Sequence, residues 1–93
     1  MIKSFHDKDT EKIWKGEFSK RIPNQISDVA LRKLRLINGA LELENLRIPP
    51  KNFLEALRND RKGQHSIRIN DQWRICFTWI DGHAFDVEIV DYH

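Results

Sequence analysis

Four side chains near the end of this sequence are of types that move protons or hold an anion. Asp91-Tyr92-His93 follows the alternating run at residues 85–90, and Arg74 lies one predicted strand earlier. An acid, a phenol and an imidazole can each exchange or position a proton, and a guanidinium can donate two parallel hydrogen bonds to a phosphate. This grouping is the strongest indication of function in the chain.

One reaction that suits such a set is the cutting of RNA by internal attack of the 2′-hydroxyl on its own phosphate. The reaction needs a base for the 2′ proton, an acid for the leaving 5′ oxygen, and cations for the charge that develops on the phosphorane. Histidine titrates near neutral pH, and tyrosine can stack on a base or donate a hydrogen bond. His93, Tyr92 and Arg74 supply these types, and Asp91 or Glu55 supplies a carboxylate.

The same residues have an ordinary structural interpretation. Arginines at 68 and 74 on a solvent-facing sheet surface commonly pair across strands, here with Asp86 or Glu88. Tyr92 could cover the core instead of a substrate, and Glu55 could be the outward residue of a strand. Residue types alone leave both interpretations open.

The sequence gives no indication of a metal or a cofactor. The four histidines, His6, His65, His83 and His93, lack the spacing of metal ligands, and there is no glycine-rich phosphate loop. The single Cys76 excludes an internal disulfide, and its apolar surroundings predict a small core residue. We therefore expect neither a metal site nor a cofactor.

Length and charge predict one small domain, residues 1–93, with a charged surface. The net charge of +2 conceals an uneven distribution, because residues 47–74 carry seven Lys/Arg against three Asp/Glu. Such a basic segment suggests an anionic partner such as nucleic acid, although a solvated surface would look the same. No apolar stretch reaches the length of a membrane span, and residues 1–7 have no apolar region of the kind found in signal peptides, so we expect a cytoplasmic protein without membrane contact.

The first half of the chain predicts a short strand and two helices. Residues 2–5 read as the strand, and a helix capped by Asp7 or Asp9 should run to about Lys15 and end at Gly16. A second helix should begin at Asn24 and stop at residues 38–39. Its buried face is predicted from apolar residues at helical spacing, namely Ile26, Val29, Ala30, Leu34, Ile37 and Leu41.

In the second half of the chain apolar and polar residues alternate, which predicts four strands. They lie at residues 53–58, at 65–69, from 73 onward, and after the Asp81-Gly82 turn. Ser66 should point away from the core together with Arg68. The apolar residues that should face the core are Ile67, Ile69, Trp73, Ile75, Phe77, Trp79, Phe85, Val87 and Ile89. The predicted fold is α+β, in the order β-α-α-β-β-β-β, with an antiparallel sheet packed on two N-terminal helices. The opposite sheet face is then open, and it should carry Arg68, Arg74, Thr78, Glu88 and Tyr92.

Residues 57–77, with the pattern D-R-x-G…S-I…W-R-I…F, and the Asp91-Tyr92-His93 ending closely resemble HigB-type toxins of the RelE/ParE superfamily. The resemblance extends over essentially the whole chain. It implies a compact RelE-like ribonuclease fold and the toxin of a bacterial type II toxin–antitoxin pair, which enters the ribosomal A site and cuts messenger RNA without a metal or cofactor. The implied partner is a helix-turn-helix, HigA-like antitoxin that neutralises the toxin, and operator DNA would be reached only through it.

The resemblance also implies roles for individual residues. Arg74 would stabilise the scissile phosphate, Arg58 would lie near the same phosphate, and Asp91-Tyr92-His93 would be the catalytic set. Glu55 stands where some family members carry a catalytic histidine, so we expect weaker but retained catalysis that depends more on the terminal imidazole. A basic surface would contact RNA of the ribosome through Arg32, Lys33, Arg35, Arg47, Lys51, Arg61, Lys62 and Arg68.

Two other classes of function share this architecture. A ParE-like protein inhibits DNA gyrase and cuts no RNA, and it would not require the polar C-terminal set together with Arg74. A toxin relic, held by its antitoxin as a repressor, would bind without any toxic activity. Expression without an antitoxin would identify a relic by the absence of a growth defect. Cut messages would then indicate the ribonuclease, and a DNA-damage response with intact messages would indicate the gyrase inhibitor.

Overall fold

The structure is a computed structural model, and it describes residues 1–92. Two helices precede a four-stranded sheet whose strands are all antiparallel, in the order β1-β2-β3-β4. The elements are α1 (Lys8–Trp14), α2 (Asn24–Gly39), β1 (Glu55–Ala56), β2 (Gln64–Arg68), β3 (Trp73–Ile80) and β4 (His83–Asp91). Short 3₁₀ turns lie at Leu43–Arg47, Pro50–Asn52 and Asn59–Arg61. The predicted α+β fold is confirmed, and none of the described helices is long and apolar enough to cross a membrane.

The core lies between one face of the sheet and the two helices. Ile75 and Phe77 of β3 and Ile67 of β2 are fully buried there, as predicted from their alternation. On the helical side, α2 buries Ala30, Leu34 and Ile37 at helical spacing, whereas Leu41 is 83% exposed beyond the end of the helix. The prediction that Leu41 joins the core was therefore wrong, because α2 ends at Gly39 and the chain turns away.

The two helix starts show which of the predicted caps is used. Asp7 caps α1, since its side-chain oxygen accepts the amide hydrogen of Thr10 at 2.7 Å. Gly16 ends this helix in a left-handed conformation, with φ of 77°. For α2 the capping residue is Pro23 and not the expected Asn24, which is already helical.

The outer edge of β4 is covered by the beginning of the chain. Residues 1–6 run parallel to β4, but they form two isolated bridges, Ile2 to Ala84 and Phe5 to Val87, and not the regular strand that was expected. The backbone amides of Ala84 and Val87 donate to the carbonyls of Met1 and Ser4 at 3.0 and 3.1 Å. Farther along the edge, side chains of Thr10 and Arg21 bond the amide and carbonyl of Ile89, each at 3.0 Å.

A bulge in β4 changes which residues face the core. Cys76 of β3 pairs with Glu88, but Thr78 pairs with Phe85, so β4 places one extra residue opposite Phe77. Asp86 lies at the bulge with φ of 51°, and its amide donates to the Ser4 hydroxyl. As a result Ala84 is fully buried and Phe85 is not, which makes the prediction of an inward Phe85 wrong.

The connection between α2 and β1 is anchored inside the protein by Asn52. The Asn52 amide group is fully buried, and its nitrogen donates to the carbonyls of Leu46 and Ile48 at 3.1 and 3.3 Å. The ammonium group of Lys33 donates to the Asn52 oxygen. Lys33 is only 7% exposed, so the prediction that it belongs to a basic surface was wrong. Burial lowers the pKa of Lys33, and the neighbouring Arg32 lowers it further.

Candidate active site on the open face of the sheet

Strand register brings the predicted site residues together on the face opposite the helices. Glu55 of β1 pairs with Ser66 of β2, and Ser66 pairs in turn with Cys76 of β3. In the next row, Arg68 pairs with Arg74. Because paired residues point to the same side, one carboxylate and two guanidiniums share a small area of the sheet. Regions of the sequence that are about 20 residues apart thus meet at one place.

Arg74 is held by three groups and is largely buried. Its Nε donates to the hydroxyl of Ser66 at 2.8 Å, and its Nη2 donates to the carbonyl of Phe53 at 2.6 Å. The same Nη2 lies 3.8 Å from a carboxylate oxygen of Glu55, and the Arg74 side chain is only 12% exposed. A guanidinium fixed in this way loses little freedom when it binds an anion, which suits it to a developing phosphorane charge.

Arg68 lies against an aromatic ring beside Arg74. Its guanidinium carbon is 5.3 Å from the centre of the Phe53 ring, and its Nη2 bonds the carboxylate of Asp71. The structural alternative, in which Arg68 and Arg74 pair with Asp86 or Glu88, is therefore wrong. Both arginines line the groove described next.

Glu88, which was the alternative partner of Arg68 and Arg74, is bonded by Arg61 instead. Its Nη1 donates to Gln64 at 3.0 Å and to Glu88 at 3.1 Å, and Glu88 also lies 3.9 Å from His6. Cys76 is fully buried on this side of the sheet, and its burial, together with the nearby Glu88 carboxylate, raises the pKa of the thiol. A thiol that stays protonated is a poor nucleophile, so Cys76 serves packing.

Two open grooves meet at Glu55 and Tyr92. One has a volume of about 570 Å³ and is lined by Glu55, Ala56, Leu57, Arg58, Asn59 and Tyr92. The other, of about 230 Å³, is lined by Glu55, Tyr92, Arg68, Arg74, Asn70 and Asp71. The shared walls join the grooves into one surface, which we call the arginine groove. It combines three guanidiniums, two carboxylates and a phenol.

Of the C-terminal residues that the structure describes, Tyr92 lines this groove and Asp91 does not. Tyr92 is 41% exposed in the groove, and its amide donates to the carbonyl of Gln72 at 2.6 Å. Asp91 pairs with Trp73 and so lies on the other side of the strand, where it accepts a hydrogen bond from the Gln72 side chain at 3.1 Å. Gln72 thus connects Asp91 to Tyr92. The predicted role of His93 lies outside the described residues.

The other predicted RNA-binding residues are spread over the surface. Arg32, Arg35, Arg47, Lys51 and Lys62 are exposed, and none of them lines the arginine groove as far as residues 1–92 define it. Arg47 forms an ion pair with Glu44 three residues earlier. Within the same residues, no group of three or more His, Cys, Asp and Glu side chains comes close enough to hold a metal ion.

The two residues that accept hydrogen bonds from Arg74 were not predicted as site residues from the sequence. Ser66, fully buried beneath Arg74, was expected only as an outward residue of its strand. It lies two residues before Arg68 and so points to the same face of the sheet, which could have indicated its place in the site. Phe53 was assigned to a strand, but it is the left-handed residue that follows the Pro50–Asn52 turn. No periodicity in the sequence indicates that conformation.

Comparison with known proteins gives consistent relatives over the full length. Residues 3–93 match the family described as RelE-like toxin of type II toxin–antitoxin system HigB. Toxin HigB-1 of Vibrio cholerae serotype O1 is 39% identical over 87 residues, which is 92% of each chain. Endoribonuclease HigB of Proteus vulgaris is 33% identical over 93 residues, which is 100% of each chain.

Two solved structures have a similar fold. A chain of the YoeB–YefM complex from Staphylococcus aureus superimposes with a TM-score of 0.59 at 22% identity, covering 100% of this chain and 98% of that chain. A YafQ mutant from E. coli gives a TM-score of 0.58 at 15% identity, over 98% and 93% of the two chains. At such identities these structures establish the shared fold. The family match and the two close relatives show that the chain belongs to the HigB-like, RelE-like toxins of type II toxin–antitoxin systems.

Proposed function

We propose that the protein is an endoribonuclease that cuts messenger RNA in the ribosomal A site, without a metal or cofactor. The observation that carries the proposal is the fixed guanidinium of Arg74 at the base of an open groove, with Glu55 3.8 Å away and Arg68 beside it. Further support comes from the relative named endoribonuclease HigB, which aligns with the whole chain.

In the proposed reaction the 2′ oxygen attacks phosphorus and the bond to the 5′ oxygen breaks. The products are a 2′,3′-cyclic phosphate and a free 5′-hydroxyl. A base removes the 2′ proton and an acid delivers a proton to the 5′ oxygen. Arg74 holds the charge on the phosphorane, assisted by Arg58 and Arg68, which line the same groove.

We assign the proton transfers to Glu55 and His93. Glu55 is exposed at the meeting of the two grooves, so its carboxylate can reach a 2′-hydroxyl as base. The imidazole of His93 would then act on the leaving oxygen. Tyr92, exposed in the groove, would stack on or hydrogen-bond the RNA, and Asp91 would position Tyr92 through Gln72.

Mapping messenger 5′-ends after induction in bacteria tests the proposal. The wild type should give new ends within codons that the ribosome is reading, and Arg74→Ala should abolish them. Lys12→Ala is the matched control, because it removes an exposed positive charge on α1, away from the groove. Intact messages together with a DNA-damage response would instead indicate a gyrase inhibitor, and no growth defect at all would indicate a relic.

The assignment of the proton carriers has its own test. Glu55→Ala and His93→Ala should each slow cleavage, and the loss should be larger for His93→Ala. Wild-type cleavage by both variants would overturn the assignment without affecting the role of Arg74.

We further propose that exposed basic residues hold the protein on RNA of the ribosome. The support is their exposure and their distribution, at Arg32, Arg35, Arg47, Lys51, Lys62 and at the groove. Because contacts with phosphates release counterions, ribosome binding should weaken steeply as salt is raised. Binding that is independent of salt would contradict this part of the proposal.

The partner we propose is a helix-turn-helix antitoxin, which is implied by the family resemblance. Support for an antitoxin of some kind comes from membership in a type II toxin–antitoxin family. Coexpression of the adjacent gene should restore growth, and the two proteins should purify together. Operator DNA should be shifted in a gel by the complex and not by the toxin alone.

A further inference from the structure

Phe53 is an exposed aromatic residue directly beside the two central arginines. Half of its surface, 51%, is accessible to solvent. Its ring lies 5.3 Å from the guanidinium carbon of Arg68, and its carbonyl accepts the hydrogen bond from Arg74. The ring is therefore placed next to the groups that would hold the scissile phosphate.

The backbone at Phe53 is strained, and the surrounding structure keeps it so. With φ of 45° and ψ of 58° the residue is left-handed, a conformation that glycine adopts freely and a bulky side chain adopts rarely. The preceding residue, Asn52, is the buried anchor bonded by Lys33. Arg74 holds Phe53 from the other side. Packing does not explain a phenylalanine here, because the ring is half exposed and a glycine would fit the backbone better.

We infer that Phe53 is a stacking platform for a nucleobase of single-stranded RNA, next to the phosphate bound by Arg74 and Arg68. Arg68 stabilises the ring from one side by a cation–π contact, and the exposed part of the ring is free to receive a flat base. Stacking of this kind accepts any base, so the site contributes affinity and position with little sequence preference. The inference rests on the proposed ribonuclease function and adds the binding element for the base.

The test uses two substitutions with opposite chemistry at one backbone position. Phe53→Gly removes the ring and relieves the strain, so the protein should unfold at an equal or higher urea concentration. The KM for messenger on programmed ribosomes should nevertheless rise about tenfold, with a smaller change in kcat. Phe53→Trp keeps a stacking face and should retain a KM within about threefold of the wild type. Phe18→Gly, which removes a 64% exposed ring outside the groove, is the matched control and should leave KM unchanged.

A substrate lacking one base identifies the partner of the ring. An abasic nucleotide is placed in turn on each side of the cleavage position. At the stacking position it should raise KM for the wild type by about the same factor as Phe53→Gly, and it should add nothing further in that variant. Losses that multiply would show that ring and base act independently and would overturn the inference.

The possible failures are distinguishable. If the wild type leaves the message intact, the proposed function itself fails. If the wild type cuts, Arg74→Ala does not, and Phe53→Gly cuts with the wild-type KM, only the stacking inference fails. A loss confined to kcat would also overturn it, because that result would assign Phe53 to the positioning of Arg74. Phe53→Leu, which keeps apolar bulk without a π-face, should behave as Phe53→Gly does.

Discussion

The hydrogen bond from Arg74 to Ser66 gives the sharpest quantitative prediction. Ser66→Ala removes one of the three groups that hold the guanidinium and leaves the contacts with Phe53 and Glu55 in place. The Ser66 hydroxyl is fully buried and the Arg74 side chain is only 12% exposed, so water cannot replace the lost partner without rearrangement. The variant should fold, but its arginine should be less well oriented.

The magnitude follows from the bond itself. A hydrogen bond of 2.8 Å to a charged group contributes about 1.5–3 kcal/mol. If that stabilisation must be recovered when Arg74 is aligned with the phosphorane, kcat falls by about tenfold to hundredfold, at about 1.4 kcal/mol per factor of ten. KM should change little, because Arg58 and Arg68, which line the same groove, are left in place. The free energy of unfolding should fall by about 1–3 kcal/mol.

The assay is cleavage of messenger on programmed ribosomes, with urea unfolding measured on the same preparations. Ser66→Thr keeps the hydroxyl and should recover most of kcat. Ser27→Ala is the matched control, because its hydroxyl bonds only the carbonyl of Pro23, one turn earlier in the chain. A folded Ser66→Ala protein with wild-type kcat would refute the view that catalysis depends on a fixed guanidinium.

Three further predictions concern stability and binding. Because folding lowers the pKa of Lys33, the unfolded chain binds more protons, and wild-type stability should rise with pH between that lowered pKa and about 10.4, the ordinary lysine value. Lys33→Met should remove this rise in urea unfolding measured across that range, and an unchanged pH slope would contradict it. Asp7→Ala should lower the free energy of unfolding by about 1 kcal/mol through loss of the α1 cap, whereas the exposed Asp28→Ala should cost less than about 0.5 kcal/mol. Arg58→Gln should reduce the slope of log binding constant against log salt concentration, for binding to the ribosome, by about one unit, as expected for the loss of one phosphate contact. A slope equal to that of the wild type would exclude such a contact.

Much of the fold was predictable because the core residues recur at the regular spacings of helices and strands. Alternation in β3 predicted that Ile75 and Phe77 face the helices, and the Asp81-Gly82 pair predicted the following turn, where both residues have positive φ. Where the pattern failed, a distant contact decided the outcome. Apolar and polar residues alternate without interruption over residues 85–89, yet a bulge held by Ser4 turns Phe85 outward.

The site was predictable in its charged members and not in the groups that hold them. Arg74 and Glu55 were expected together and lie 3.8 Å apart. Lys33 was expected on the surface because lysine usually is, and only its bond to Asn52 explains its burial. The left-handed Phe53 depends on the same anchor. Such positions are fixed by tertiary contacts, which local residue preferences do not encode.

The covered edge of β4 has a consequence for solubility and folding. Backbone groups at Ala84, Val87 and Ile89 are bonded by residues 1–6, Thr10 and Arg21, so this long strand offers no template for pairing with another molecule. These contacts join residues about 80 positions apart, which makes the edge slow to close. Until it closes, the outer edge of β4 is unpaired and the apolar residues on one face of the strand are less protected. A shortened or blocked N-terminus would therefore favour self-association during folding, even where the arginine groove is intact.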